Sequence, residues 1–323
     1  MNDELGQTWA VVLAAGEGSR LRTLTTTPGG IAVPKQFCSL QGGRSLLGEA
    51  LARAQTVTAV EHMCVVVAQQ HRQFWSGPLA HLPHDNVIVQ PENRGTAIGI
   101  LLALLHIMER DPEARILLLP SDHYVGEERV LARSLVGAIE HLKACRNEVI
   151  LLGIEPEGVD PELGYIVPGG VVGGMLRTVD RFVEKPAPEV ARQLIMAGAL
   201  WNAFIVAARA PALLAMFMMR IPEIVSDLGA AVAHDSIDPG SPIAAAHVYR
   251  RLPVLDFSRD IAAGNERMLR ALRVPACTWS DLGTPVRVAH TLALMRARTP
   301  VREEALPAMG SWINLAAQHA MLQ

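Results

Sequence analysis

The stretch WAVVLAAGEGSRL occupies residues 9–21 and joins an apolar run to a turn that contains two glycines. The run is too short for a helix, and its continuous apolar character predicts a buried parallel strand. Similar short runs alternate with segments of helical periodicity. The predicted strands are 9–14, 63–68, 86–89, 116–119 and 149–152, and the predicted helices are 45–54, 70–79, 96–110 and 130–143. This alternation indicates an α/β fold, a doubly wound and mostly parallel sheet.

The second half of the chain follows a different pattern. Residues 164–184 place a glycine pair, 173–174, between two extended stretches, which predicts a β-hairpin inserted into the α/β fold. Further helical segments are predicted at 188–197 and 211–234. Because no low-complexity linker and no internal repeat interrupt the sequence, we expect the second half to pack onto the first as one body.

The composition excludes several classes of protein. The 323 residues are 50% hydrophobic and 19% charged, which excludes a disordered chain. The longest apolar run, 98–108, is interrupted by His106 and is too short to span a membrane. A formal net charge of -3 argues against nucleic acid as a partner. The acidic N-terminus lacks the features of a secretory signal, so we expect a cytoplasmic protein that binds small molecules and no membrane.

The turn after the first predicted strand has the composition of a phosphate-binding loop. Gly16 and Gly18 allow close backbone approach, so that successive N–H groups can surround phosphate oxygens. Arg20 adds a planar charged fork, and Lys35 follows in the segment VPKQF at 33–37. The G-x-G pattern alone equally fits an ordinary turn, and it matches neither the dinucleotide-binding pattern nor Walker A. Two cations near one glycine loop favour a triphosphate as ligand.

A carboxylate follows the fourth predicted strand. Asp122 lies in a short loop after residues 116–119, at the edge where a doubly wound sheet forms its ligand crevice. Mg²⁺ beside phosphates keeps several waters and takes only one or two protein carboxylates, which suits this position. The alternative is that Asp122 caps the following helix.

Five motifs in a fixed order resemble the sugar-1-phosphate nucleotidyltransferases, which couple a nucleoside triphosphate to a sugar 1-phosphate and release pyrophosphate. The motifs are LAAGEGSRL with PKQF (13–21 and 34–37), QPENRGTA (90–97), LPSDH (119–123), VEKP (183–186) and WSDLG (279–283). The PKQF form is most similar to the mannose-1-phosphate guanylyltransferases. The resemblance covers residues 9–288 and implies a fold of the nucleotide-diphospho-sugar transferase type, in which the hairpin region binds the sugar.

The resemblance also implies a role for each matching residue. The implied catalytic residues are Arg20, Lys35, Asp122 and Asp281, and the two aspartates would hold Mg²⁺. The implied nucleotide-binding residues are Ala14, Ala15, Gly16, Gly18, Ser19, Gln90, Asn93, Arg94, Thr96 and Ala97. The implied sugar-phosphate-binding residues are Gly164, Tyr165, Glu184, Lys185 and Asn202. Without the resemblance, residues 280–283 read as a turn, 93–94 as an exposed loop and 184–185 as a salt-bridging surface hairpin.

The implied reaction is transfer of GMP from GTP to mannose 1-phosphate, with Mg²⁺ as cofactor. The alternatives are another sugar 1-phosphate (heptose or glucose), another triphosphate (UTP or dTTP), or a non-catalytic homologue that senses nucleotide sugars. Because the motifs run from Gly16 to Asp281, we expect one catalytic domain, 1–288, with a nucleotide-binding half at 1–160 and a sugar-phosphate-binding half at 161–288. A helical tail at 289–323 would follow, as a candidate contact of a homodimer.

Overall fold

A nine-stranded sheet forms the centre of the protein, whose computed structural model describes residues 8–237 and 244–298. Its strands are β1 (Thr8–Ala14), β2 (Met63–Ala68), β3 (Val87–Gln90), β4 (Arg115–Pro120), β6 (Val149–Ile154), β7 (Tyr165–Gly173), β8 (Leu176–Val183), β9 (Leu200–Arg209) and β10 (Leu269–Val274). A separate two-stranded sheet pairs β5 (Tyr124–Val125) with β11 (Trp279–Ser280).

The strand order of the large sheet is β3-β2-β1-β4-β9-β6-β10-β8-β7. The strands β3, β2, β1 and β4 are mutually parallel, and β6 is parallel to β10. The strand β9 lies between β4 and β6 and is antiparallel to both. The β7–β8 hairpin continues the sheet beyond β10, and β7 also pairs with β9. The predicted mostly parallel α/β sheet and its hairpin are therefore confirmed.

Helices cover both faces of this sheet. They are α1 (Arg22–Thr25), α2 (Leu46–Ala54), α3 (Arg72–Trp75), α4 (Gly95–Met108), α5 (Glu128–Ala144), α6 (Pro188–Met196), α7 (Ala210–Arg220), α8 (Pro222–Ile237), α9 (Ala244–Tyr249) and α10 (Pro285–Arg298). Side chains alternate along β1, so that Val12 enters the core beneath α2, α5 and α6 while Val11 enters the core beneath α4, α7 and α8. Both faces of β1 are thus buried, as its continuous apolar sequence predicts.

Two predicted helices differ from the structure. The helix predicted at 70–79 is reduced to a 3₁₀ turn, Gln69–His71, followed by α3, because Gly77 and Pro78 do not favour continuation. The helix predicted at 211–234 is divided into α7 and α8 at Pro222, which lacks the N–H that a continuous helix would need. The strands β9 and β10 were not predicted. Residues 299–323 of the predicted tail lie outside the described residues, and α10 accounts for its first part.

The topology brings distant segments to one edge of the sheet. The parallel strands β1 to β4, β6 and β10 all end at that edge, where loops leave their carboxyl ends. Pairing of Trp279 with Val125 brings the loop after β11 next to the loop after β4. Within 8–237 and 244–298, no helix is both long and apolar enough to cross a membrane.

Candidate active site

A cleft of about 530 Å³ opens at the carboxyl edge of the sheet. Its walls come from both halves of the chain. The cleft is lined by many of the predicted site residues, namely Ala15, Gly16, Arg20, Gln90, Asn93, Thr96, Asp122, Gly164, Glu184, Lys185, Asn202 and Asp281.

The remaining predicted residues range from buried, such as Lys35 and Tyr165, to exposed, such as Ser19. They are Ala14, Gly18, Ser19, Lys35, Arg94, Ala97 and Tyr165, none of which is among the residues that line the cleft. Gly18 has a φ of 63°, and a Cβ there would lie 2.9 Å from the backbone nitrogen of Lys35. Glycine is therefore required for the turn to pack against the PKQF segment.

Gln36 holds the glycine loop, the turn after β1 that contains Gly16 and Gly18, in place. Its buried side chain donates from Nε2 to the carbonyl oxygens of Ala14 (3.0 Å) and Gly16 (2.9 Å). These bonds hold the end of β1 and the start of the loop in one conformation, which leaves the loop prepared for a ligand. The sequence motif contained Gln36 without indicating this function.

Lys35 links the carboxylate of Asp122 to the main chain of Asp281. Its Nζ lies 3.0 Å from Asp122 Oδ2 and donates to the main-chain oxygen of Asp281 at 2.6 Å. Burial raises the pKa of Asp122, but the nearby Lys35 and His123 and the hydrogen bonds to the carboxylate together outweigh burial, so the net pKa lies below its usual value. Asp122 is therefore ionised at neutral pH. Lys35 itself is buried, so its charge acts on these groups rather than on solvent.

His123 adjoins this pair without adding a charge. Burial lowers its pKa to about 4, so the ring is neutral at neutral pH. The ring packs edge-on against Trp279, with 5.2 Å between the centroids. His123 is thus a neutral side chain of the cleft wall.

Asp281 is held by two donors from the segment that follows it. Its Oδ1 accepts a hydrogen bond from the Gly283 N–H at 3.0 Å and contacts Nη1 of Arg287, a residue in the first turn of α10. Nη2 of Arg287 contacts the carboxylate of Asp160. Burial, together with the nearby Arg20 charge, lowers the pKa of Arg287 to about 10, which leaves it charged at neutral pH. Arg287 was not predicted from the sequence.

The donor chemistry of Asp122 and Asp281 fits Mg²⁺. Both side chains line the cleft, and Mg²⁺ takes one or two protein carboxylates and completes its shell with water and phosphate oxygens. Another group of potential ligands, His141, Cys145 and Glu148, lies at the opposite edge of the sheet, at the amino end of β6. Arg270 already donates to that carboxylate at 2.8 Å, so the group is an ion-pair network.

The segment predicted to contact the base is clamped to residues 250–257. Thr96 Oγ1 accepts from the N–H of Phe257 at 2.9 Å, the N–H of Ala97 donates to the Leu255 oxygen at 3.1 Å, and Arg94 Nη2 donates to the Arg250 oxygen at 2.5 Å. The side chain of Arg94 is therefore used to hold the loop, whereas Asn93 and Thr96 line the cleft.

Glu184 forms the wall at the hairpin end of the cleft. Burial and the nearby Asp256 raise its pKa to about 7, although Lys185 and Arg259 act in the opposite direction. A Cβ at Gly164 would lie 2.5 Å from Glu184 Oε2, so glycine leaves the space that this carboxyl occupies.

Asn202 and Phe204 lie beside Glu184 on a bulge of β9, where the pairing with β6 shifts register. Asn202 Oδ1 accepts from the N–H of Phe204 at 3.1 Å. Phe204 has a φ of 55°, a conformation unusual for a residue with a side chain, and its ring packs edge-on against Phe257. The predicted pocket residue Tyr165 is instead fully buried, and its hydroxyl bonds the backbone of Asp160.

Cations surround the cleft at well-separated points. Arg20 lies at one wall and pairs with Glu162 at 3.0 Å, both side chains being about half exposed. Lys185 and Arg259 line the hairpin end. An anion that entered the cleft would therefore meet positive charge at both ends. The sequence did not indicate Glu162 or Arg259 because their contacts depend on how distant loops meet.

Comparison with known proteins is consistent with this site. The family model described as nucleotidyl transferase matches residues 9–292. The mannose-1-phosphate guanylyltransferase of Escherichia coli (strain K12) is 30% identical over 286 residues, which are 85% of this chain and 58% of the relative. A protein of the same name from Sinorhizobium fredii (strain NBRC 101917 / NGR234) is 27% identical over 283 residues, 84% of this chain and 52% of the relative. The chain thus spans less than two thirds of the length of these relatives.

A solved structure has a similar fold. The protein described as mannose-1-phosphate geranyltransferase from Thermus thermophilus has a TM-score of 0.72 and 26% identity, with 86% of this chain and 76% of that chain covered. The family model extends over nearly the whole described region and includes every predicted site residue. The chain therefore belongs to the nucleotidyl transferase family.

Proposed function

We propose that this protein is a Mg²⁺-dependent guanylyltransferase that transfers GMP from GTP to mannose 1-phosphate and releases pyrophosphate. The observation that carries the proposal is the contact of Lys35 with both Asp122 and the main chain of Asp281, a residue 246 positions away. This contact links two residues whose carboxylates line the cleft through one buried cation. The names of the relatives support guanine nucleotide and mannose phosphate as the substrates. We place the reaction in the cytoplasm, as the sequence predicts.

The chemistry follows from the charges of the two substrates. A phosphate oxygen of the sugar 1-phosphate attacks the α-phosphorus of the triphosphate, a new P–O bond forms, and the bond to the β-phosphate breaks as pyrophosphate leaves. The attacking phosphate is ionised at neutral pH, so no side-chain nucleophile is needed. The protein has to hold two anions together in line, which is a task of positioning and charge stabilisation.

Each end of the cleft suits one substrate. The glycine loop, with the Arg20 guanidinium, is suited to the β- and γ-phosphates, and Gln90, Asn93 and Thr96 to the base. The hairpin end offers the Lys185 ammonium to the sugar phosphate, while Glu184 and Asn202 offer hydrogen-bond partners to the sugar hydroxyls.

Asp122 and Asp281 would hold the metal, which when bound neutralises charge on the triphosphate. Lys35 keeps Asp122 ionised and fixes the position of the Asp281 backbone. Gln36 keeps the glycine loop in place through its two bonds to the loop carbonyls. The chain thus supplies a rigid frame in which both reactants lose little entropy on reaching the transition state.

The test is pyrophosphate release from a matrix of substrates. GTP, UTP and dTTP are each combined with mannose, glucose and heptose 1-phosphates and Mg²⁺, and the nucleotide sugar is identified by mass spectrometry. We expect the highest kcat/KM with GTP and mannose 1-phosphate. Preferred turnover of another pair would replace the proposed substrates. Binding of a nucleotide sugar without turnover of any pair would indicate the non-catalytic homologue instead.

A further inference from the structure

Arg287 lies between carboxylates from two distant parts of the chain. Its guanidinium contacts Asp281 through Nη1 and Asp160 through Nη2. All three side chains are at least four-fifths buried, with exposures of 18%, 11% and 20% for Arg287, Asp281 and Asp160. Two carboxylates that meet in such an environment need a cation between them, and here the guanidinium is that cation.

The contacts extend from Arg287 to the glycine-loop end of the cleft. Asp160 Oδ1 accepts the N–H of Glu162 at 2.9 Å, and the carboxylate of Glu162 pairs with Arg20 at 3.0 Å. The hydroxyl of Tyr165 bonds both the N–H and the oxygen of Asp160, which fixes the loop between β6 and β7. A continuous series of polar contacts therefore joins Asp281 to Arg20.

These contacts have an electrostatic consequence for Asp281. Oδ1 of Asp281, a candidate metal ligand, contacts Arg287 and accepts a hydrogen bond from the Gly283 N–H. A guanidinium in contact with the Asp281 carboxylate holds that carboxylate in place and also repels a second cation that approaches it. Its removal would leave Asp281 facing Asp160, a pair that attracts a divalent cation more strongly.

We propose that Arg287 is a positioning residue that holds Asp281 at the cleft wall and balances its charge until a divalent cation arrives. This inference rests on the proposed function, in which Asp281 takes part in metal binding. Arg287 thereby weakens metal binding by the free protein and favours a correctly placed Asp281 when nucleotide and metal bind together. The two effects have opposite signs, which makes the role testable.

The experiment measures Mn²⁺ binding and turnover for the same variants of the full chain. Free Mn²⁺ is followed by electron paramagnetic resonance without nucleotide, and kcat is measured with saturating substrates and Mg²⁺. Arg287→Met should bind Mn²⁺ at least about threefold more tightly than the wild type, because a positive charge beside the ligand is lost. Its kcat should fall at least about tenfold, because Asp281 is no longer fixed.

Two further variants separate positioning from a general structural role. Arg287→Lys keeps the charge without the two-pronged geometry, so its Mn²⁺ affinity should stay within about twofold of wild type while kcat falls. Arg273→Met removes a half-exposed arginine whose Nη1 lies 3.6 Å from Glu155, a residue of the β6–β7 loop that also contains Asp160. This variant should change neither Mn²⁺ affinity nor kcat.

Equal or weaker Mn²⁺ binding by a folded Arg287→Met, or no Mn²⁺ binding by either it or the wild type, would overturn the inference. If Arg287→Met does not fold, an unchanged kcat in Arg287→Lys would overturn it instead. A wild-type protein that turns over no substrate pair would contradict the proposed function, but the order of Mn²⁺ affinities would still decide the role of Arg287.

Discussion

At the scale of single residues, the proposed reaction depends most on the charge of Asp122. Asp122→Asn removes the carboxylate without changing its size, and we expect kcat to fall by a factor on the order of 1000. The melting temperature should stay within about 3 °C, because Lys35 keeps the main-chain oxygens of Asp281 (2.6 Å) and Leu282 (3.4 Å) as acceptors.

The exposed Asp227 gives a matched control for this substitution. Asp227→Asn makes the same chemical change on the surface and should leave kcat and the melting temperature as in wild type. Steady-state pyrophosphate release and thermal unfolding by circular dichroism measure both properties. An unfolded Asp122→Asn variant, or one with ordinary turnover, would contradict the assignment.

Glu184 provides a second prediction, which concerns pH. Its pKa is raised to about 7, so between its unfolded-state pKa and pH 7 the native state binds more protons than the unfolded state. The free energy of unfolding therefore decreases as pH rises through that window, by up to about 3 kcal/mol from this group. Glu184→Gln should remove that part of the decrease. Urea unfolding at about pH 5, 6, 7 and 8 would measure the difference.

The same variant bears on the sugar end of the cleft. If Glu184 contacts the sugar, its substitution should flatten the pH dependence of KM for the sugar 1-phosphate and leave KM for GTP unchanged. If the free energies of unfolding of wild type and Glu184→Gln change with pH in the same way over all four values, the pKa of Glu184 is not raised.

At the scale of elements, the glycine loop depends on close contact with the PKQF segment. Gly18→Ala adds a Cβ 2.9 Å from the Lys35 nitrogen at a φ of 63°, so the loop has to move away from its ligand position. We expect KM for GTP to rise about tenfold. Gly30→Ala is the control, because Gly30 has a φ of 83° but open space around its Cβ position. Both variants carry about 1 kcal/mol of backbone strain, and only Gly18→Ala should change KM.

The difference between local and distant interactions explains which elements the sequence could predict. Strands β1, β2 and β4 are continuous apolar runs, and their pattern is visible without tertiary information. The strand β9 carries the sequence LWNAFIVAAR, whose place between β4 and β6 depends on partners far away in the chain. The prediction of a helix over 70–79 was wrong, because it gave the local periodicity more weight than the nearby Gly77 and Pro78.

The site follows the same rule. Most of the predicted residues that line the cleft lie in short motifs that are visible in the sequence, whereas Glu162 and Arg259 line it without such a signal. Supporting contacts such as Arg20 with Glu162, separated by 142 positions, have no local signal. Arg94 illustrates the limit: it lies inside a predicted motif, yet its guanidinium donates to the Arg250 oxygen. Which side of a loop a side chain uses is decided by the segment packed against it.

At the scale of the whole molecule, the two predicted halves share one sheet. The strand β9, from the half at 161–288, supplies the antiparallel neighbour of both β4 and β6, which belong to the half at 1–160. A fragment of residues 1–160 would leave those two strand edges unpaired and expose apolar side chains such as Leu118 and Leu151, which are now buried.

We therefore expect the fragment 1–160 to aggregate or to unfold without a cooperative transition, although it contains the complete glycine loop and Asp122. Size-exclusion chromatography and thermal circular dichroism would measure this, with the full chain as the control. A monomeric fragment with a sigmoidal unfolding curve would contradict the expectation, since it would show that the nucleotide-binding half folds alone. Because Asp281 also comes from the second half, such a fragment would still lack one of the two candidate metal carboxylates.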